Sequence, residues 1–173
     1  MNIFVLDYDP TVAASLVCDK HAVKMPVETA QMMASALRRH GATDEQMPLT
    51  KSRKPYKGGY KNHPCTVWAG DNQANFRWLF HHGVALCTTY TQRYGRVHAC
   101  LSPILDMGNR ISMLPPAILT TEFPQAMPDE LKQDCPVSAY RRYYRTEKRG
   151  IATWRLGNVP HWFNIIGESS ETE

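Results

Sequence analysis

The chain has 173 residues, 43% hydrophobic and 21% charged, the size and balance of one globular domain. Twenty Lys and Arg against sixteen Asp and Glu leave a net charge of +4, and no run of about 18 apolar residues offers a membrane span. Membrane, collagen-like, repeat and wholly disordered classes are excluded.

The amino-terminal MNIFVLDYD turns acidic without a basic lead, so no signal peptide is expected. Residues 2–6 are apolar and rich in β-formers, and read as a buried strand or an extended arm. Asp9-Pro10 supplies an N-cap and a first-turn proline for a helix over about 10–24. Pro26 interrupts that helix, because proline lacks the N–H that the helix needs. The helix resumes over 27–40, with Val27, Ala30, Met33, Ala34 and Leu37 on one stripe and Gly41 as its cap. Residues 41–65 lack an apolar period and read as a long loop, either functional or mobile. A strong helix follows over 72–94, closed by Gly95, then a weaker one near 96–112. Residues 114–135 form a proline-rich connection, and Pro136 opens a last helix running to Trp154. The fold class is therefore mainly α: a single-domain helical bundle over 1–166 with a short N-terminal extended arm or strand, and an acidic, frayed tail at 167–173.

Cys18, Cys65, Cys87, Cys100 and Cys135 stand singly, with no C-x-x-C pair. They suit reduced thiols in a cytoplasmic protein better than a disulfide or zinc framework. Cys18 and Cys65, beside basic residues or histidine, are the two positions where an activated thiol would be sought. His81 and His82 are adjacent on a helix and point apart. No metal and no cofactor are expected.

The net charge hides two basic blocks. Residues 51–61 carry Lys51, Arg53, Lys54, Lys57 and Lys61 with no acid, and residues 141–155 carry Arg141, Arg142, Arg145, Lys148, Arg149 and Arg155 against Glu147 alone. Tyr56 and Tyr60 interleave the first block, and Tyr140, Tyr143, Tyr144 and Trp154 the second. Cations neutralise phosphates and aromatic faces stack on unpaired bases, which points to nucleic acid. The alternative is that the tyrosines are core and the cations a solvated face.

The densest polar cluster lies at Asp19-Lys20-His21, Lys24 and Glu28. Steps of three and four residues put His21, Lys24 and Glu28 on one helical face. A carboxylate between cations stays ionised and suits the stabilisation of positive charge at a sugar carbon. Gly59-Tyr60-Lys61-Asn62-His63-Pro64 then follows the basic block, with Asn62 and His63 held beside a rigid proline.

The arm Met1-Asn2-Ile3, His21, Glu28 and the Gly59–Pro64 motif together resemble the pyrimidine-dimer DNA glycosylase family, of the endonuclease V type. Cys18–Met25 also resembles a C-D-K-H-x-V-K-M pattern of phage-encoded proteins. The resemblance implies a bifunctional DNA glycosylase and AP lyase acting as a monomer on double-stranded, damaged or modified DNA, by base flipping. It implies that an N-terminal α-amine attacks the sugar while Glu28 stabilises charge, with His21 beside it. Asn2 disfavours trimming of the initiator methionine, so either the Met1 amine is the nucleophile or the lyase chemistry is absent. Lys20, Lys24, Arg53, Lys54, Lys57, Lys61, Asn62, His63, Arg141, Arg142 and Arg145 would then bind phosphate, and Tyr60 and Trp162 would stack on bases. Two alternatives stay open: another nucleotide- or modified-DNA-processing enzyme using Glu28 and His21 as acid and base, or a non-catalytic nucleic-acid-binding protein.

Overall fold

Asp9 caps the first helix, its carboxylate accepting from Thr11 N (2.8 Å) and Val12 N (2.9 Å). In this computed structural model, which describes residues 1–164, α1 spans Pro10–Leu16, α2 Asp19–Arg39, α3 Pro64–Asp71, α4 Gln73–Tyr94, α5 Leu101–Gly108 and α6 Pro136–Arg145. Short 3₁₀ turns follow α5 and α6, and an isolated bridge joins Leu49 to Pro55. The expected acidic tail at 167–173 lies outside the described residues.

The mainly helical expectation holds, with differences in detail. The predicted helix over 10–24 breaks at Val17 and Cys18, both extended. Tertiary contacts hold the break: Asp19 N–H donates to Thr153 O (2.8 Å), and its carboxylate accepts from Arg93 (3.2 Å) and Arg155 N (2.7 Å). Pro26 does not interrupt α2, which runs through it. The lost N–H bond is offset by burial of Met25, Pro26, Thr29, Ala30 and Met33 along the inner face. The last helix stops at Arg145, well short of Trp154. The chain turns away there so that Trp154 can donate to Leu16 O (3.1 Å) and pack on Phe163. α3 begins in the last two residues of the loop expected over 41–65 and fills the stretch before α4; His63 caps it, Nδ1 accepting from Cys65 N (3.2 Å), and Pro64 takes the first position.

α4 is the central helix, packed along α1, α2, α3 and α5. Its ends are those the sequence announces: Asn72 accepts from Asn75 N (2.9 Å), and Gly95 takes a left-handed φ of 68°. At Gly83 a Cβ would lie 2.5 Å from Thr29 Cγ2, so α4 meets α2 closely one residue from Glu28. The N-terminal segment is the arm rather than a strand: Ile3, Phe4, Val5 and Leu6 are buried, and no ladder partner lies beside them among the described residues. It threads between α2 and α6, which places the chain terminus against Glu28.

Candidate active site

Glu28 is buried on α2, its side chain 10% exposed, yet it holds three nitrogens. Oε2 accepts from Asn2 N–H at 2.9 Å and lies 3.7 Å from the Met1 α-amine; Oε1 is 3.0 Å from Lys24 Nζ. The Lys24 contact is the i,i+4 pair expected from the helix period. Met1 is anchored through its side chain, which is 1% exposed and whose sulfur contacts Thr66 Oγ1 at 3.2 Å. The accessible part of the residue is its main chain. A pocket of about 180 Å³ opens here, lined by Met1, His21, Lys24, Glu28, Tyr143 and Lys148 together with Asn2, Phe4, Met25 and Ala126.

His21 forms one wall. Its ring stacks on Phe4 (centroids 4.3 Å, 18°) and its Nδ1 is hydrogen-bonded to the Tyr144 hydroxyl. Burial, reinforced by Lys148, Lys24 and Lys20, pushes its pKa down to about 4, so the imidazole is neutral at physiological pH. Phe4 takes a φ of 51°, an uncommon conformation for a bulky residue. The strain turns the arm so that the phenyl face meets His21 while Met1 reaches Glu28.

His63 lies outside the pocket wall but within its field. Its pKa is lowered by burial first and then by the N-terminal ammonium, while Glu28 acts in the opposite direction. The basic loop hangs on α2 at Gly58, where a Cβ would lie 2.3 Å from Ser35 Oγ. Gly59 N–H donates to Ser35 Oγ (2.8 Å), which donates back to Gly59 O (3.0 Å). Tyr60 then projects, 69% exposed, from a strained φ of 51°. Lys61 and Asn62, with Ser35, Arg38, Arg39, Lys57 and Thr66, line a second cavity of about 490 Å³. Thr66 borders this cavity and touches Met1, so the two hollows adjoin. Lys57 is paired with Asp44 (2.6 Å), which also holds Arg38. Lys20, Arg53 and Lys54 are exposed.

The C-terminal block is placed differently. Arg141 donates to Leu6 O (2.9 Å), pairs with Asp7 (3.3 Å) and covers the Trp162 ring at 5.5 Å. Arg145 donates to Trp162 O (3.4 Å), and Arg142 is half-buried. The structure thus brings Met1, His21, Lys24 and Glu28 together, and gives Arg141, Arg145 and Trp162 internal partners away from the pocket. Lys148, Tyr143, Asn2 and Ala126 are pocket residues that sequence spacing alone does not reveal. The two thiols singled out in the sequence are not activated: burial pushes Cys65 up to about 12 and raises Cys18. Among the described residues no group of His, Cys, Asp and Glu is arranged to hold a metal ion, and no helix is long and apolar enough to cross a membrane.

An α-amine and a buried carboxylate facing each other in a cationic pocket is an arrangement able to form and stabilise an imine. Neither a curated protein nor a solved structure matches the chain. Residues 1–101, which carry the arm, α2, the basic loop, α3 and α4, match the family model described as pyrimidine dimer DNA glycosylase. That match covers more than half of the 173 residues, including Glu28 and the Met1, Asn2 and Lys24 nitrogens it faces, and the chain belongs to the pyrimidine dimer DNA glycosylase family.

Proposed function

We propose that the chain is a DNA glycosylase with AP-lyase activity, acting on a damaged base in double-stranded DNA through the Met1 amine and Glu28. The single observation that carries this reading is the 3.7 Å approach of the accessible Met1 amine to a buried carboxylate that Lys24 and Asn2 hold in place. The neutral amine attacks C1′, the glycosidic C–N bond breaks, and the base leaves with that electron pair and takes up a proton. Loss of the amine proton and ring opening give a protonated imine, whose positive charge faces the Glu28 carboxylate. Removal of a C2′ proton then expels the 3′ phosphate and cuts the strand, and water releases the amine. His21, neutral, serves as a wall and a hydrogen-bonding group rather than as a proton reservoir at pH 7. Lys24 and Lys148 stand at the mouth, where the phosphates flanking the sugar would lie. Tyr60 is the exposed ring available to a base displaced from the stack.

Borohydride reduction on a duplex holding one cyclobutane pyrimidine dimer, or one abasic site, tests this directly. A covalent adduct mapped to Met1 is expected. Absence of an adduct with both duplexes refutes the lyase chemistry, and base release without an adduct would assign the chain as a monofunctional glycosylase.

A further inference from the structure

A chain terminus is ordinarily the least ordered part of a domain, whereas a nucleophile must be held close to its line of attack. The Met1 amine belongs to no helix or sheet, so something else has to fix it. Asn2 does so with its backbone N–H and both polar atoms of its side chain. Its backbone N–H donates to Glu28 Oε2 (2.9 Å), its Nδ2 donates to Ala126 O (2.8 Å), and its Oδ1 accepts from Ile3 N (2.8 Å) and the Tyr140 hydroxyl (2.7 Å). The residue is buried. An amide is the side chain that offers a donor and an acceptor together at this length: aspartate lacks the donor, and serine lacks the reach.

Tyr140 ties this clamp to the C-terminal part of the fold. It sits on α6, fully buried, its hydroxyl also 2.8 Å from Pro124 O and accepting from Ala126 N (3.2 Å). One turn further on, Tyr144 makes the corresponding contact with His21. α6 lies beyond residues 1–101, so the support for the reacting groups comes from a part of the chain outside the family match. We propose that Asn2 and Tyr140 are positioning residues that hold the Met1 amine against Glu28, and that α6 serves as the brace of the active site. This rests on the reading of Met1 as the nucleophile.

The experiment compares the full chain with Tyr140→Phe, Asn2→Asp and Cys65→Ala. Cys65 Sγ makes a weak, long hydrogen bond (3.8 Å) to the same Asn2 Oδ1, so Cys65→Ala removes that weak contact and loosens the packing around the clamp but leaves the hydroxyl–amide bond intact. Intact mass first establishes that Met1 is present in each protein. Single-turnover borohydride trapping and equilibrium binding are then measured on a duplex holding one abasic site. Tyr140→Phe and Asn2→Asp are each expected to slow trapping by about tenfold to hundredfold with DNA affinity within about twofold, because orientation and not binding is lost. Cys65→Ala is expected to trap at the rate of the unaltered chain. Wild-type trapping rates in Tyr140→Phe and Asn2→Asp overturn the proposal while leaving the nucleophile in place. So does an equal fall in all three variants, which would mark general loosening. If Tyr140→Phe does not fold, Asn2→Asp against Cys65→Ala decides. No adduct from the unaltered chain, or a mature chain lacking Met1, removes the nucleophile itself and both statements with it.

Discussion

Replacing Glu28 with glutamine isolates the charge of the carboxylate from its shape. The amide oxygen can still accept the Asn2 N–H bond of 2.9 Å, so the arm keeps its course. The contact to Lys24 at 3.0 Å loses its ionic character, and the Met1 nitrogen at 3.7 Å no longer faces a negative charge. A positive charge at the Met1 nitrogen, 3.7 Å from a carboxylate oxygen, is stabilised by about 4 kcal/mol at an effective dielectric constant of ~20. Imine formation places such a charge there, and the ground state with a neutral amine does not gain from it to the same degree. The barrier therefore rises by that order, a loss of about 10³ in rate. The assay is single-turnover strand cleavage on an abasic duplex, with binding measured separately at the same salt. Glu28→Gln is expected to bind DNA as the unaltered chain does and to cleave about a thousandfold more slowly. Cleavage within about threefold of the unaltered rate would refute the electrostatic role, since a 4 kcal/mol term cannot vanish into so small a change.

Three further outcomes follow from the same geometry. Lys54→Ala and Lys61→Ala, on the exposed loop, are each expected to lower the salt slope of DNA binding by about one, whereas Arg141→Ala should leave the slope unchanged and lower Tm, because Arg141 holds Leu6 and Asp7. Gly83→Ala is expected to destabilise by about 1–3 kcal/mol and to slow cleavage, because its Cβ meets Thr29 Cγ2 at 2.5 Å beside Glu28; Gly95→Ala, facing open space at a φ of 68°, should cost stability alone. His82 is buried against Trp78 with both ring nitrogens unpartnered among the described residues, and burial pushes its pKa down to about 3. Its unfolded form takes up a proton near pH ~6.5 and the folded form does not, so stability is complete above that pH and falls as pH drops towards 3, by about 3 kcal/mol at pH 4. Urea unfolding across that range should show this slope, and His82→Phe should reduce it, leaving the part that His21, with its pKa lowered to about 4, contributes over the same range.

Local signals in the sequence were sufficient where the chain carries its own punctuation. α4 was legible because Asn72 caps it, Gly95 ends it and the apolar period between them is regular. The His21, Lys24, Glu28 face was legible for the same reason, since spacings of three and four residues survive the passage of α2 through Pro26. α3 had a signature too: His63-Pro64 is a cap with a first-turn proline, and Cys65, Trp68 and Ala69 follow at helical spacing, but the glycines before it read as loop. The break at Val17-Cys18 and the early end of α6 had no local signal, because contacts of Asp19 with Thr153 and of Trp154 with Leu16 decide them. The pocket was half legible for the same physical reason. Glu28 meets Lys24 within one helix, but it meets Asn2 across 26 residues, and Asn2 meets Tyr140 across 138. The buried tyrosines of α6 show how composition misleads here: Tyr140 and Tyr144 are core by burial, and their hydroxyls are what the site uses.

The two basic blocks carry similar charge in the sequence but do different work in the fold. In the C-terminal block the cations are laid over aromatic rings: Arg141 on Trp162, Arg149 on Phe163, Arg155 on Tyr94 and Lys148 on Tyr143, at 4.7–5.5 Å. Such contacts tie the last segment to the fold through the faces of the cations. Lys148 differs, because it also borders the pocket. In the loop block, Lys51, Arg53, Lys54 and Lys61 stand exposed, and Gly58 and Gly59 fasten the segment to Ser35 on the helix that carries Glu28. A polyanion drawn to that loop is thereby drawn to α2, and the pocket lies on the same helix about two turns from Ser35 by its rise of ~1.5 Å per residue. The small net charge of the chain is consistent with this division. On the proposed reading, attraction would be concentrated on the loop beside the pocket, while the C-terminal cations pack on aromatic rings of the fold.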